Sequence, residues 1–215
     1  MIKACIFDLD GVIIDSADFH FKTWQELAHS LGIEFTKEQN EDLKGVSRRG
    51  SLDYILKLGS TEYSEEEKIK MAASKNEKYQ EYVDTMDKSK ILPGVETFIR
   101  ECRNASIKIA LGSSSTNART ILEKTDLIEL FDVIVDGNDT VNTKPDPEVF
   151  IKGALKLKTK PEKIIVFEDS IKGIQAANTA YFRSMGIGNW ETLIEAEYVI
   201  PGFKDFTLNQ LKGIF

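Results

Sequence analysis

The sequence is poor in the features that mark several common protein classes. Its only two cysteines, Cys5 and Cys102, supply neither a disulfide framework nor a thiolate metal cluster. One falls in an apolar strand-like run and the other in a helix-like one, so both are expected as core thiols. Basic residues are outnumbered, 28 against 35 acidic ones, for a formal charge of −7. That balance disfavours nucleic acid or an anionic membrane as the main partner. No apolar stretch reaches the roughly 20 residues needed to span a bilayer, and no basic segment followed by a long apolar one opens the chain. A reducing cytoplasm is the expected compartment. Internal repeats and low-complexity tracts are also missing. Acidity does not exclude phosphorylated substrates, because local cations and a metal reverse the sign inside a pocket.

What is present is a rhythm. The 215 residues suffice for one large domain, or a domain with an insertion, burying roughly 70% of its unfolded surface. The chain opens with the run Ala4-Cys5-Ile6-Phe7-Asp8-Leu9-Asp10-Gly11-Val12. Short apolar segments recur at 107–111, 133–135, 164–167 and, more weakly, 182–185. Between them, 94–104, 116–125, 147–157 and 170–180 carry apolar residues at helical spacing, several behind good caps such as Asp146-Pro147. Short apolar strands alternating with helices imply a parallel sheet covered on both faces, a doubly wound α/β core of Rossmann-like type.

Residues 16–87 break the rhythm, with no convincing strand and at least three helical stretches. They read as an inserted α-helical cap domain, leaving 1–15 and 88–215 as the α/β core. In 16–31 the residues Ala17, Phe21, Trp24, Ala28 and Leu31 keep one face, with Ser16 as cap and Gly32 as terminator. A second helix is expected over 49–58. The third opens at the capping box Ser64-Glu65-Glu66-Glu67 and carries Ala72, Tyr79, Val83 and Met86 as its apolar stripe. Lys75 and Asn76 fall in phase with that stripe. A lysine there usually snorkels to water, and becomes a substrate contact only if the stripe faces the carboxylates of the first strand.

Asp8 and Asp10 lie one residue apart at the end of the first strand. Residues i and i+2 of a strand share a side, so the two carboxylates are expected to converge. They would repel unless a cation or proton separates them, which suggests a metal with a nucleophile and an acid/base pair. An Asp-Gly turn is the plain alternative. Ser113 and the pair Glu168-Asp169 also come just after strands, and parallel sheets gather such positions along one edge, where ligands bind. Ser113-Ser114-Ser115 precedes a helix whose free amides favour an anion, although serine caps do the same without a ligand. Lys144, extended before Pro145, reads as a loop lysine of the kind usually solvated. Three or four oxygen ligands with no histidine or thiolate nearby suit Mg²⁺ better than Zn²⁺.

Asp8-Leu9-Asp10-Gly11-Val12, Ser113, Lys144-Pro145 and Glu168-Asp169-Ser170 together resemble the four motifs of the haloacid dehalogenase superfamily. The inserted helices resemble the cap of the β-phosphoglucomutases through His20, Trp24, Leu43-Lys44-Gly45-Val46-Ser47-Arg48 and Lys75-Asn76. The resemblance implies a phosphomutase interconverting β-glucose 1-phosphate and glucose 6-phosphate, primed by glucose 1,6-bisphosphate. It makes Asp8 the nucleophile, Asp10 the general acid/base, and Ser113 and Lys144 the neutralising partners of the transferring phosphoryl group. The metal, Mg²⁺, would be held by Asp8, the Asp10 backbone carbonyl and Asp169, with Glu168 beside it or acting through water. In the cap, Arg48 would grip the distal phosphate together with Ser115, Thr116 and Asn117. Trp24, Gly45, Val46 and Ser47 would line the sugar site, Lys44 and Lys75 would approach its hydroxyls, and His20 would orient Asp10.

The chain departs from that pattern at two points. Thr116 stands where some family members carry a lysine or arginine, leaving Arg119 as the candidate to compensate. Ala180 stands where a glycine usually precedes the last core strand. A phosphatase, in which water dephosphorylates Asp8, is the alternative within enzymes. A non-catalytic binding protein is the third class, and the intact Asp8, Asp10, Lys144 and Asp169 argue against it. The expected partner is a phosphorylated hexose and the expected state a monomer.

Overall fold

The computed structural model describes residues 1–215. Six parallel strands form one sheet: β1 (Ala4–Phe7), β2 (Lys108–Gly112), β3 (Val133–Val135), β4 (Ile164–Glu168), β5 (Arg183–Ile187) and β6 (Tyr198–Ile200), in the order β3-β2-β1-β4-β5-β6. The two-residue period of the strands sorts their side chains into two apolar layers. Cys5, Phe7, Ile109, Leu111, Ile165 and Phe167 face one layer with Phe98 and Phe203, where Phe7 and Phe167 stack with ring centres 4.7 Å apart. Ala4, Ile6, Ala110, Ile164 and Val166 face the other, packed by Phe150, Leu157 and Ala176. Both expected core thiols are buried and free.

The helices are α1 (Ala17–Ser30), α2 (Lys37–Glu41), α3 (Arg48–Leu58), α4 (Glu65–Asp84), α5 (Val95–Asn104), α6 (Ala118–Lys124), α7 (Glu148–Leu157), α8 (Ile171–Thr179) and α9 (Leu208–Ile214). None is long and apolar enough to cross a membrane. The first four lie between β1 and β2 in the chain and contribute no strand. Trp24, Ala28, Leu52, Ile55 and Phe35 give them an apolar cluster of their own. The Ser64 capping box of α4 forms as expected. Ser16 occupies the position before α1, but its hydroxyl caps nothing there and is engaged by Asp10 instead. Three elements are additions to the expected list: β6, α2 and α9. Thr36-Gln39 and Thr207-Gln210 make capping boxes at the two helices, a Thr-x-x-Gln signal already present in the chain.

The order of the sheet positions the site. From β1 the chain adds β2 and β3 on one side, then crosses to add β4, β5 and β6 on the other. The topological switch therefore lies at β1, flanked by β2 and β4, and the carboxyl ends of those three strands lead into Asp8, Ser113 and Asp169.

The residue in the left-handed region before β5 is Tyr181 (φ 60°), not Ala180 (φ −100°). A left-handed L-residue costs about 1–2 kcal/mol. Tyr181 is 84% exposed, so its side chain returns little of that. Tyr181→Gly should raise the unfolding free energy by about 0.5–1 kcal/mol, after allowing for the larger entropy of unfolded glycine. A urea titration checks this, and an unchanged or lowered midpoint would refute it.

Candidate active site

Asp8 follows β1 and is 7% exposed. Lys144, 2% exposed, is the opposite of a solvated loop lysine: its Nζ donates to Asp8 Oδ1 at 2.5 Å, to the Gly112 carbonyl at 3.2 Å and to Glu168 Oε1. Glu168 Oε2 accepts from Ser170 N at 3.0 Å and Ser170 Oγ at 2.8 Å. Glycine is required against this carboxylate, since a Cβ on Gly173 would lie 1.9 Å from Glu168 Cδ. Burial works against the Lys144 charge, yet Asp8 and Glu168 outweigh it and hold the ammonium above its usual range. Asp169 pairs with Lys44 Nζ at 3.3 Å. Burial, with Glu168 adding to it against the pull of Lys44, pushes its carboxyl up to about 7.

Asp10 does not share the partners of Asp8. Strand β1 ends at Phe7, and the turn through Gly11 (φ 77°) carries Asp10 to a second group of residues, so its relation to Asp8 comes from a loop rather than from the strand pleat. Asp10 Oδ1 accepts from Ser16 Oγ and lies 3.5 Å from His20 Nε2. Burial would raise this carboxyl, but His20, Ser16 and Lys75 together hold it below the usual range. On the other edge of the imidazole, Nδ1 lies 3.3 Å from Lys75 Nζ. An ammonium has no acceptor, so with Lys75 protonated Nδ1 accepts and Nε2 carries the hydrogen on the side of Asp10.

Lys75 does not snorkel. It is 4% exposed, with its Nζ 4.7 Å from the ring centres of both Trp24 and Tyr79. Burial and the Arg48 charge pull it down to about 7, against the opposing pull of Asp10. The unfolded lysine titrates near pH 10.4. Between about pH 7 and 10 the unfolded chain therefore binds a proton that the folded chain does not, and stability rises with pH. Lys75→Met removes this burden and should stabilise the protein by roughly 1–3 kcal/mol at pH 6, the gain shrinking toward pH 10. Melts at the two pH values check it. A variant less stable than wild type at pH 6 would show that the ammonium supports the fold.

Asp8, Asp10, Ser16, His20, Lys75, Tyr79 and Asp169 line one cavity of about 370 Å³, together with Trp24, Lys44, Gly45, Val46, Ser47, Arg48, Asn76 and Ser113 to Asn117, while Lys144, Glu168 and Ser170 lie outside its lining. Across its mouth Arg48 Nη2 donates to Thr116 Oγ1 at 2.5 Å, Ser114 Oγ to the Gly45 carbonyl at 3.1 Å, and Asn117 Nδ2 to Asn76 Oδ1 at 3.2 Å. The Ser113 and Ser115 hydroxyls accept from the amides of Ser115 and Asn117, at 3.1 and 3.2 Å. Gly45 has φ +72°, and a Cβ there would come within 2.9 Å of Ser170 Oγ. The Ser47 hydroxyl accepts from Gly50 N at 3.2 Å, capping α3 rather than pointing a free group at a ligand. Arg119 does not compensate for Thr116. Its guanidinium is tied to Asp136 and Asp139, at 2.9 Å each. Ser16 and Ser170, which hold Asp10 and Glu168, are legible in the sequence only as helix caps.

The donor set fits a hard divalent cation at Asp8 and Asp169. Burial, with the charges of Glu168, Asp10 and Asp169, pushes the Asp8 carboxyl up against the pull of Lys144, a surplus of acid that a cation relieves. The four acids do not form a preassembled shell of three carboxylates. Asp10 is turned to Ser16 and His20, and Glu168 to Lys144 and Ser170. Mg²⁺ is commonly held by one or two carboxylates, with water and substrate phosphate completing the octahedron, so Asp8 and Asp169 suffice.

Comparison with known proteins agrees with this geometry. The model of the haloacid dehalogenase-like hydrolase family matches residues 5–187. The chain is 38% identical to the β-phosphoglucomutase of Bacillus subtilis, over 98% of this chain and 94% of that protein. It is 30% identical to a phosphorylated carbohydrates phosphatase of Thermotoga maritima, over 99% of this chain and all of that one. The crystal structure of a β-phosphoglucomutase from Clostridium difficile superposes with a TM-score of 0.95 at 41% identity, covering 100% of this chain and 97% of that one. With family motifs, sheet order and site geometry in agreement, the chain belongs to the haloacid dehalogenase-like hydrolases and, within them, to the β-phosphoglucomutases.

Proposed function

We propose that the protein is a Mg²⁺-dependent phosphomutase that interconverts β-glucose 1-phosphate and glucose 6-phosphate by way of an aspartyl phosphate on Asp8 and bound β-glucose 1,6-bisphosphate. The observation that carries this is a cavity lined by two sets of groups suited to phosphate. Asp8 and Ser113 belong to one, with Lys144 bonded to Asp8 behind them, and Arg48 with Ser115, Thr116 and Asn117 forms the other. A substrate with one phosphate uses only one of these sets. Residues 1–15 and 88–215 act as the core and 16–87 as a cap that supplies Arg48, Lys44, Lys75 and His20. The protein works as a cytoplasmic monomer.

In this mechanism Asp8 Oδ attacks the phosphorus in line, the O–P bond to Asp8 forming as the bond to the sugar oxygen breaks. Asp8, Asp169 and the Asp10 carbonyl would hold Mg²⁺, which would supply charge neutralisation at the phosphoryl oxygens. Lys144 and Ser113 donate to the same oxygens. Asp10, held as a carboxylate, takes the proton of the sugar hydroxyl that attacks the aspartyl phosphate and returns it to the sugar oxygen that departs when Asp8 next attacks. Ser16 and His20 aim the carboxylate for both steps, and Glu168 keeps Lys144 beside Asp8. Arg48 grips the second phosphate as an anchor, and the bisphosphate turns around in the cavity so that the other end meets Asp8.

The test is a phosphorus NMR time course with β-glucose 1-phosphate. Glucose 6-phosphate should appear after a lag that added bisphosphate abolishes, because free enzyme must first be phosphorylated, and the α-anomer should be a poor substrate. The Thermotoga maritima relative keeps a sugar-phosphate phosphatase as the second reading. Free phosphate accumulating in step with substrate loss, with no glucose 6-phosphate even when primed, would select it.

A further inference from the structure

Arg119 sits in the first turn of α6, directly after the loop Ser113 to Asn117, yet it does not line the cavity. What it touches is the turn that follows β3. Its Nε lies 2.9 Å from Oδ2 of the fully buried Asp136, and its Nη2 2.9 Å from Asp139 Oδ2 and 3.2 Å from the Ile134 carbonyl. Inside that turn, Asp136 Oδ1 accepts from Asn138 N at 2.9 Å and Asp139 Oδ2 from Asp136 N at 3.1 Å.

The same turn backs the loop. Ser113 N donates to the Val135 carbonyl at 3.1 Å, Gly137 N to the Ser115 carbonyl at 3.1 Å, and Asn138 Nδ2 to the Thr116 carbonyl at 3.0 Å. The fit is close, because a Cβ on Gly137 would lie 2.4 Å from the Ser114 carbonyl oxygen. Arg119 thus bolts the helix end that follows the loop to the turn that supports it. It also neutralises carboxylates that would otherwise repel a dianion bound at Ser115, Thr116 and Asn117. With Thr116 supplying no charge, loop placement and background charge decide how well the distal phosphate is held beside Arg48.

We propose that Arg119, through its pairs with Asp136 and Asp139, is a positioning residue for the distal-phosphate loop; this rests on the two-phosphate reading of the cavity. The test compares KM and kcat for β-glucose 1,6-bisphosphate, whatever product forms, with those for acetyl phosphate, which needs only the Asp8 end. Arg119→Gln should raise the bisphosphate KM by about tenfold to a hundredfold, the scale of an ångström of misplacement. Acetyl phosphate KM should change far less, and Arg119→Lys should recover part of the loss. Because Arg119→Gln strands a buried carboxylate, the double variant Arg119→Gln/Asp136→Asn is measured beside it. A raised bisphosphate KM in a stably folded double variant supports the proposal. A double variant with wild-type KM, or equal losses on both substrates, overturns it and leaves Arg119 as a fold-supporting cation. A wild-type protein without preference for the bisphosphate over acetyl phosphate would overturn the proposed function first, and this inference with it.

Discussion

Asp8→Asn should abolish phosphoryl transfer, lowering turnover by about 10⁴-fold or more, the scale seen when a nucleophile is removed from a site that otherwise remains intact. The substitution keeps the shape of the side chain and takes away the anionic oxygen that bonds to phosphorus. The fold should survive, because Lys144 keeps Glu168 and the Gly112 carbonyl as partners when the Asp8 charge is lost. Removing the charge also relieves a crowded site, where burial and three neighbouring acids push the Asp8 carboxyl up. The variant should therefore melt close to wild type. Mass spectrometry after treatment with acetyl phosphate is the decisive measurement: wild type gains a phosphoryl group and the variant does not. A phospho-adduct of undiminished yield on the Asp8→Asn variant would move the nucleophile elsewhere.

Much of this architecture is legible in the sequence because parallel strands buried on both faces leave an apolar run that few other elements produce. Residues 4–7 and 164–167 are readable on that ground, and 133–135, half-buried at the sheet edge, through its β-branched run. Strand β6 is not, since three residues with an exposed Tyr198 carry too short a pattern to stand out. Topology alone places the motif residues at one sheet edge. It does not supply their environment. Lys75 and Lys144 read locally as solvated lysines, and only tertiary packing makes them buried, one against two aromatic rings and the other between two carboxylates. The same holds for Ser16 and Ser170. Local sequence offers a helix cap, and Ser170 does cap α8, but which carboxylate each hydroxyl also meets is decided by how the chain returns in space. Arg119 shows the reverse error: its charge suggests a phosphate contact, whereas two acids 17 and 20 residues away claim it.

Lys144→Met should cost both fold and chemistry, and pH separates the two. The lysine lies between Asp8 and Glu168 with a side chain that has no exposure, so its loss leaves two buried carboxylates facing each other across an apolar side chain. Breaking a buried pair on one side is worth about 3–5 kcal/mol, because the remaining charge is left uncompensated. Unpaired and buried, the acids hold protons to higher pH in the folded variant than in its unfolded chain. Between those two limits the folded state binds more protons, so the variant loses stability as pH rises. The deficit relative to wild type should thus be smallest near pH 5 and largest near pH 8, measured by urea titration at each. Turnover should fall by about 10²–10³-fold even at the pH where the variant is best folded, the effect of removing one preorganised donor to a developing charge. A deficit that is equal at pH 5 and pH 8 would mean that Lys144 acts through packing, not through the charges of Asp8 and Glu168. A well-folded variant with near-normal turnover would remove the lysine from phosphoryl transfer altogether, and with it the reason for burying an ammonium between two acids at the end of β1.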